Sequence, residues 1–173
     1  MDDLRFVIPD LSLLEEIAAY RQEFIVDGSS MDGCGSLARM EDPRDWIQQI
    51  KDLSDEATVP ESWVRSTQFV LLRGDRLVGA LQVRHRFNDF LKDFGGHIGY
   101  SVRPSERRKG YAVLMLHEAL PFCREIGLKK VLITCLESNE GSRRTILKNG
   151  GVYESTVIEP REGKPLERYG ITL

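Results

Sequence analysis

The sequence has few cysteines and no long hydrophobic run. Its three cysteines, Cys34, Cys123 and Cys135, are widely separated among 173 residues and form no C-x-x-C pair. We therefore expect neither a disulfide framework nor a metal site, and we interpret Cys123 and Cys135 as small buried hydrophobic residues. No apolar stretch approaches the roughly 20 residues that a membrane-spanning helix needs.

The sequence also lacks an excess of basic residues. It contains 24 Lys and Arg against 27 Asp and Glu, which gives a formal net charge of −3. This balance argues against nucleic acid as the main ligand and is compatible with a cationic substrate. The acidic start, residues 1–5, has neither the basic nor the apolar region of a secretory signal. We expect a cytoplasmic protein that does not bind a membrane.

Length and composition indicate one globular domain over residues 1–173. The chain has the size of an ordinary domain, with 41% hydrophobic and 29% charged residues. No linker and no internal repeat divides it. Residues 27–42, rich in Gly, Ser and Met, are typical of a mobile loop.

Hydrophobic periodicity predicts alternating strands and helices. Two helices open at Pro9-Asp10 and at Pro43, and a tight turn at Gly74-Asp75 joins a hairpin. We predict further helices over 112–126 and 139–149, and strands over 4–8, 69–73, 77–83, 97–102, 131–135, 152–158 and 166–173. This order is typical of a single α/β domain around one mixed sheet.

The segment Val102–Ala112 connects a strand to the longest predicted helix and is the part of the sequence that best indicates a ligand. A helix N-terminus presents unpaired N–H groups and a positive dipole end, which attract phosphate. Gly110 and Ala112 let the backbone approach an anion closely, while Arg107, Arg108 and Lys109 add positive charge. A solvated basic turn that caps the helix is the alternative. The segment matches neither a Walker loop nor the dinucleotide fingerprint.

These residues resemble the acetyl-CoA signature of the GNAT superfamily of N-acetyltransferases, [QR]-x-x-G-x-[GA]. Arg107, Gly110 and Ala112 occupy its defined positions. Further along the chain, Asn139 and Ser142 resemble the family's N-x-x-[AS] helix opening. The resemblance implies a GNAT-like fold, in which helices flank a central mixed, mostly antiparallel sheet. It also implies an acetyl-CoA-binding core at about 95–151.

The resemblance assigns roles to particular residues. Backbone amides of Arg107 to Ala112 would hold the pyrophosphate, and the strand around Ser101 would pair its backbone with the pantetheine arm. The resemblance implies that this strand and the following one splay apart, which leaves backbone groups free for that pairing. Asn139 would bond the pantetheine, with Ser142 beside it, although both could simply cap the helix. The implied cofactor-binding residues are Tyr100, Ser101, Val102, Arg107, Arg108, Lys109, Gly110, Tyr111, Ala112, Asn139 and Ser142.

The implied function is transfer of the acetyl group of acetyl-CoA to a primary amine, by direct attack in a ternary complex. Many relatives carry a tyrosine acid seven residues after the position of Asn139, where this chain has Ile146. His97 is the first candidate for the base and Glu137 the second. The alternatives are a strand histidine that pairs with a loop backbone and a solvated loop carboxylate.

Three functions stay open at this point. The leading hypothesis is the enzyme, whose acceptor is a small-molecule or peptide amine; a homodimer is compatible with the resemblance. A non-catalytic acyl-CoA sensor is the main alternative, because the tyrosine is missing. An unrelated nucleotide-phosphate binder is disfavoured, because no acidic metal-binding residue accompanies the basic loop.

Overall fold

The computed structural model describes residues 3–173, so Met1 and Asp2 of the acidic start lie outside the described residues. Within this range the strands are β1 (Leu4–Val7), β2 (Ser66–Arg73), β3 (Arg76–Arg84), β4 (Ile98–Val102), β5 (Lys130–Leu136), β6 (Val152–Ile158) and β7 (Pro165–Thr172). The α-helices are α1 (Leu14–Asp27), α2 (Pro43–Leu53), α3 (Tyr111–Glu125) and α4 (Glu140–Lys148). No helix in this range is long and apolar enough to cross a membrane.

Local sequence signals explain where the first two helices begin and end. Asp42 accepts a hydrogen bond from Arg44 N (2.9 Å) and so caps α2, whose first residue is Pro43. Helix α1 ends at Gly28, which adopts φ 74° and donates its N–H to Phe24 O at 2.9 Å. The predicted starts are therefore close to the observed ones, because α2 begins at Pro43 and Asp10 caps the short turn Leu11–Leu13 that leads into α1.

The strands form two antiparallel sheets. The first has the order β1-β2-β3-β4 and the second β5-β7-β6. Strands β4 and β5 lie side by side without forming a ladder. Periodicity predicted one mixed sheet, whereas every ladder in the described residues is antiparallel. The sheet is divided at β4 and β5, where the resemblance implied that two strands splay apart.

Helices cover both faces of the first sheet, because β2 and β3 alternate their apolar side chains between the two faces. Val70 and Ala80 pack with α1 and α2, and Leu71 and Leu81 pack with α3. The α3 cluster continues into the second sheet through Ile133 and includes α4. This arrangement of helices around antiparallel sheets confirms the predicted fold class.

The predicted loop at 27–42 is packed against the sheet. Cys34 and Leu37 are each only 1% exposed, and both belong to the core beneath α1 and α2. Gly33 adopts φ 71°, and a Cβ at this position would lie 2.2 Å from Gly99 O and 2.7 Å from Tyr100 N. The loop therefore touches the backbone of β4 directly, and the composition that suggested mobility instead permits this close contact.

We predict that Gly33→Ala is destabilising because the new Cβ would strain a left-handed backbone and also collide with β4. The free energy of unfolding should fall by roughly 2–4 kcal/mol. Urea denaturation measures it.

Gly28→Ala is the matched control, because Gly28 has a similar φ of 74° but a Cβ there would meet nothing within 4 Å. This variant should lose only about 1 kcal/mol, the cost of backbone strain alone. Equal losses in the two variants would contradict the close packing of the loop on β4.

Candidate functional site

Strand β4 has a row of backbone groups that β3 does not use. Arg103 N donates to Val78 O at 2.8 Å, immediately after the β3–β4 ladder. Bonded positions alternate along an antiparallel strand, so the N–H and C=O groups of Tyr100 and Val102 point away from β3. They face the gap between β4 and β5.

Strand β5 presents matching groups from the other side. Leu173 N donates to Lys129 O at 3.0 Å, and the same alternation directs the backbone of Thr134 and Leu136 away from β7. These groups also face the gap. An extended chain placed there would find backbone partners on both strands.

The gap is closed at one end by His97. Its backbone N donates to Leu132 O at 2.8 Å, and its ring Nδ1 accepts from Leu132 N at 2.9 Å. Gly96 packs so tightly here that a Cβ would lie 2.6 Å from Leu132 O. Beyond this junction the two strands form no further ladder, and the gap opens toward Val102 and Leu136.

His97 is held as a neutral ring. It is 6% exposed and stacks on Phe87 with ring centroids 4.0 Å apart. Burial lowers the pKa of His97 to about 4, and the charge of Arg84 contributes to the same shift. Nδ1 already accepts a backbone N–H, so the ring pairs with the backbone, as the alternative expected, but its partner Leu132 lies in strand β5 and not in a loop.

The turn before α3 presents free amides at the open end of the gap. Arg108 and Gly110 have φ values of 64° and 84°, and no side chain caps the helix. Within the described residues, no protein acceptor lies in good hydrogen-bond geometry with the amides of residues 108–113. Successive N–H groups in such a turn, at a helix N-terminus, form an anion-binding concavity.

Two of the three basic side chains in this turn already have acidic partners. Arg107 lies 3.3 Å from Asp27 and donates to Ser29 Oγ at 2.8 Å, so it points toward the end of α1. Lys109 pairs with the buried Glu106 at 2.7 Å. Arg108 forms no ion pair in the described part of the chain. An anion bound at this turn would therefore be held mainly by backbone amides.

Other residues of the turn have structural side chains. Tyr111 is 7% exposed, and its hydroxyl accepts a hydrogen bond from Arg73 at 3.0 Å. Ala112 lies in the first turn of α3 and has no side chain that would obstruct an anion. Both residues can contribute only their amides to the site.

The start of α4 faces β4 across the gap. Asn139 caps α4 by accepting from Ser142 N at 3.1 Å, which leaves its NH₂ group free to donate. The hydroxyls of Ser142 and Tyr100 lie 2.7 Å apart. Burial raises the pKa of Tyr100 well above its ordinary value, so its hydroxyl stays protonated. Capping and ligand binding are thus compatible for Asn139.

Ile146, which stands in the place of the usual acid, and Glu137, the second candidate base, have opposite environments. Ile146 is fully buried in the core, with Gly151 packed on it, so it offers no proton. Glu137 is exposed at the end of β5, and its backbone oxygen accepts a hydrogen bond from Arg143. The Glu137 side chain has no ion-pair partner among residues 3–173, which leaves its carboxylate available to solvent.

Sequence reasoning missed the contacts on the other face of β4. The side chain of Ser101 bonds to the Tyr20 hydroxyl at 2.8 Å and contacts Cys34 Sγ at 3.5 Å. Arg103 is 6% exposed and pairs with Glu16 and Glu23 of α1. The glycines around Cys34 were the one available signal of close backbone contact.

The sequence and the fold resemble those of known acetyltransferases. The family model described as an acetyltransferase (GNAT) domain matches residues 13–152. A search of curated protein sequences finds no match. Within residues 3–173 no cluster of side chains could hold a metal ion.

Solved acetyltransferases have the same fold. The ribosomal-protein-S5-alanine acetyltransferase of Vibrio fischeri aligns with TM-score 0.74 and 14% identity, over 99% of this chain and 94% of its own. The microcin C7 self-immunity acetyltransferase, solved with acetyl-CoA and AMP, aligns with TM-score 0.72 and 16% identity, over 100% and 94%. A chimeric spermidine N-acetyltransferase of Vibrio cholerae aligns with TM-score 0.67 and 15% identity, over 98% and 94%.

We predict that His97 stays neutral at pH 6, because its buried ring has a pKa of about 4. Nitrogen-15 NMR of labelled histidine should show the proton on Nε2, since Nδ1 is an acceptor. The unfolded chain takes up this proton near pH 6.5, before the folded protein does. The contribution of His97 to stability is therefore fully present above that pH and is lost as pH falls toward 4.

The control is the exposed His117, which lies on α3. His97→Gln should reduce the pH dependence of the free energy of unfolding between pH 4 and 6.5, whereas His117→Gln should leave it in place. A His97 signal that titrates near its ordinary pKa would contradict the assigned pairing with Leu132.

Proposed function

The chain belongs to the GNAT acetyltransferase family, and from this we propose that it transfers the acetyl group of acetyl-CoA to a primary amine. The attack is direct and takes place in a ternary complex. One observation carries the proposal: the gap between β4 and β5 has unpaired backbone groups on both sides and leads to the free amides before α3.

The residues present fit the phosphate end of acetyl-CoA. Amides from Arg108 to Ala112 would hold the diphosphate, assisted by the dipole of α3. Arg107 also contributes indirectly, because its pairing with Asp27 and Ser29 fixes the turn against α1. Gly110 leaves open space where a side chain would otherwise stand.

The gap fits the extended pantetheine arm. The backbone of Tyr100 and Val102 on one side, and of Thr134 on the other, would bond to its amides in the manner of an added strand. The free NH₂ group of Asn139 would donate to the same arm. Ser142 would hold the Tyr100 ring in place through the hydroxyl contact at 2.7 Å.

The reaction needs no covalent protein nucleophile. The amine nitrogen forms a bond to the carbonyl carbon, the carbon–sulfur bond breaks, and its electron pair leaves on sulfur. A primary ammonium group loses two protons in total, of which one ends on the thiolate and the other in solvent. A backbone N–H of Tyr100 or Val102 would stabilise the oxyanion.

Proton transfer in this proposal uses water and an exposed carboxylate. Glu137, at the mouth of the gap, would accept a proton through water. His97 would act as a positioning residue, because its two bonds to Leu132 set the point where the strands separate. Ile146 offers no proton, so the departing thiolate would be protonated from solvent.

The acceptor is defined here only as a primary amine. The similar structures are named for a ribosomal-protein alanine and for spermidine, which are both amine acceptors. Direct attack requires only that a neutral amine reach the thioester. The cytoplasmic location and the homodimer stay predictions from the sequence.

A non-catalytic acyl-CoA sensor is the second candidate. The buried Ile146, in the place of the usual acid, is the observation that favours it. The sensor would bind acetyl-CoA with the same turn and gap but would release no thiol when an amine is added. Turnover therefore separates the two candidates.

We predict that the wild-type protein releases free thiol from acetyl-CoA when primary amines are added. Gly110→Glu should weaken coenzyme A binding at least about tenfold, because its carboxylate would repel the diphosphate. Thiol release and titration calorimetry with coenzyme A measure the two effects.

Gly127→Glu is the matched control at the opposite end of α3. Its φ of 93° resembles the 84° of Gly110, and neither position has an atom within 4 Å of a new Cβ. It should bind coenzyme A normally. Coenzyme A binding without thiol release, over a broad amine panel, would favour the sensor; normal binding by a folded Gly110→Glu variant would contradict the site.

A further inference from the structure

The two faces of β4 have different surroundings. Side chains alternate along a strand, and Tyr100 reaches the start of α4, whereas Ser101 reaches Tyr20 on α1. Gly99 shares the face of Ser101. The pantetheine arm is proposed to lie in the gap between β4 and β5, with the start of α4 on the face of Tyr100, so an acceptor would approach the thioester from the face of Gly99.

The loop before α2 occupies part of that second face. Gly33 packs on Gly99 with its Cα only 3.2 Å from the position of a Cβ at Gly99. Gln68 donates to Gly33 O at 2.8 Å, and Trp46 donates to Cys34 O at 2.8 Å. These bonds come from β2 and α2, so the loop is fixed on both sides.

Asp32 immediately precedes this contact and projects into solvent. Gly33 and Cys34 are buried, but Asp32 is exposed. Ser30 donates to one of its carboxylate oxygens at 2.7 Å, and the other oxygen has no partner in the described residues. The loop therefore holds, beside the centre of β4, a carboxylate with one hydrogen-bonded oxygen and one oxygen without a partner in the described residues.

Asp32 lies close enough to Arg84 for the two charges to interact. Burial lowers the pKa of Arg84 to about 10, and the negative charge of Asp32 partly offsets that effect. Arg84 itself is held by Gly95 O at 3.1 Å and lies against Gly99. No basic side chain in residues 3–173 forms an ion pair with Asp32, so its charge is available to a ligand.

We propose that Asp32 binds the ammonium group of the acceptor, and that the natural acceptor is a cationic amine. This inference rests on the proposed acetyl transfer. The free carboxylate oxygen would accept a charge-assisted hydrogen bond from the ammonium group and hold the nitrogen beside the thioester. Asp32 binds and positions the acceptor, and the protons still leave through water.

The test compares Asp32→Asn with the wild-type protein in the thiol-release assay. The side-chain amide oxygen in this variant can still accept the bond from Ser30, so the loop should keep its structure while the charge is lost. The cationic probes are spermidine, putrescine and a short peptide with a free amino terminus. Aniline, which is uncharged at neutral pH, is the neutral probe.

For the cationic probe that the wild-type protein uses best, KM should rise roughly 10- to 100-fold in Asp32→Asn, the effect of losing one charged hydrogen bond. The KM for acetyl-CoA and the turnover of aniline should not change. Asp32→Glu should retain part of the preference for cations. Asp75→Asn removes the same charge at the distant hairpin turn and should have no effect.

Each outcome decides the inference. An unchanged KM for the cationic probe would overturn the role of Asp32 and leave the proposed acetyl transfer intact. A rise in KM for acetyl-CoA of the same size, or for aniline, would also overturn it, because a loop that simply collapsed would affect every substrate. If the wild-type protein acetylates no amine, the proposed function fails and this inference fails with it.

Discussion

The site depends on one junction, the pair of hydrogen bonds between His97 and Leu132. These bonds join β4 to β5 at a single point, and the strands separate beyond it. Backbone groups on an open edge must find partners or water. The separation therefore creates a slot with donors and acceptors on both walls, and the free amides before α3 lie at its open end.

The two faces of β4 pack against different parts of the molecule. On one face, Tyr100 contacts Ser142 of α4, which belongs to the side proposed for acetyl-CoA. On the other face, the loop with Gly33 presses on the strand and presents Asp32. Arg107 connects the turn before α3 to the end of α1, directly before this loop. The regions proposed for the cofactor and the acceptor are thus held by one continuous set of contacts.

The sequence predicted correctly those elements that are determined by neighbouring residues. The apolar stripe of α3 and the two-residue turn at Gly74-Asp75 were predicted correctly from periodicity and turn chemistry. Periodicity did not predict the division of the sheet, because the division depends on how Gly96 and His97 meet Leu132, 35 positions after His97. Only the family resemblance implied that the two strands splay apart. The contact of Gly33 with β4 was missed for the same reason. The composition of residues 27–42 is that of a flexible loop, and only the contact between Gly33 and Gly99 shows that this loop is packed. Long-range contacts of this kind leave no periodic trace in a single sequence.

The most direct test of the central claim is a crystal structure of the protein with coenzyme A. We predict that its diphosphate accepts hydrogen bonds from the amides of residues 108–112 and that the pantetheine arm lies between Tyr100 and Thr134. Coenzyme A bound at another surface, with the strands closed against each other and the turn before α3 free of ligand, would contradict the account.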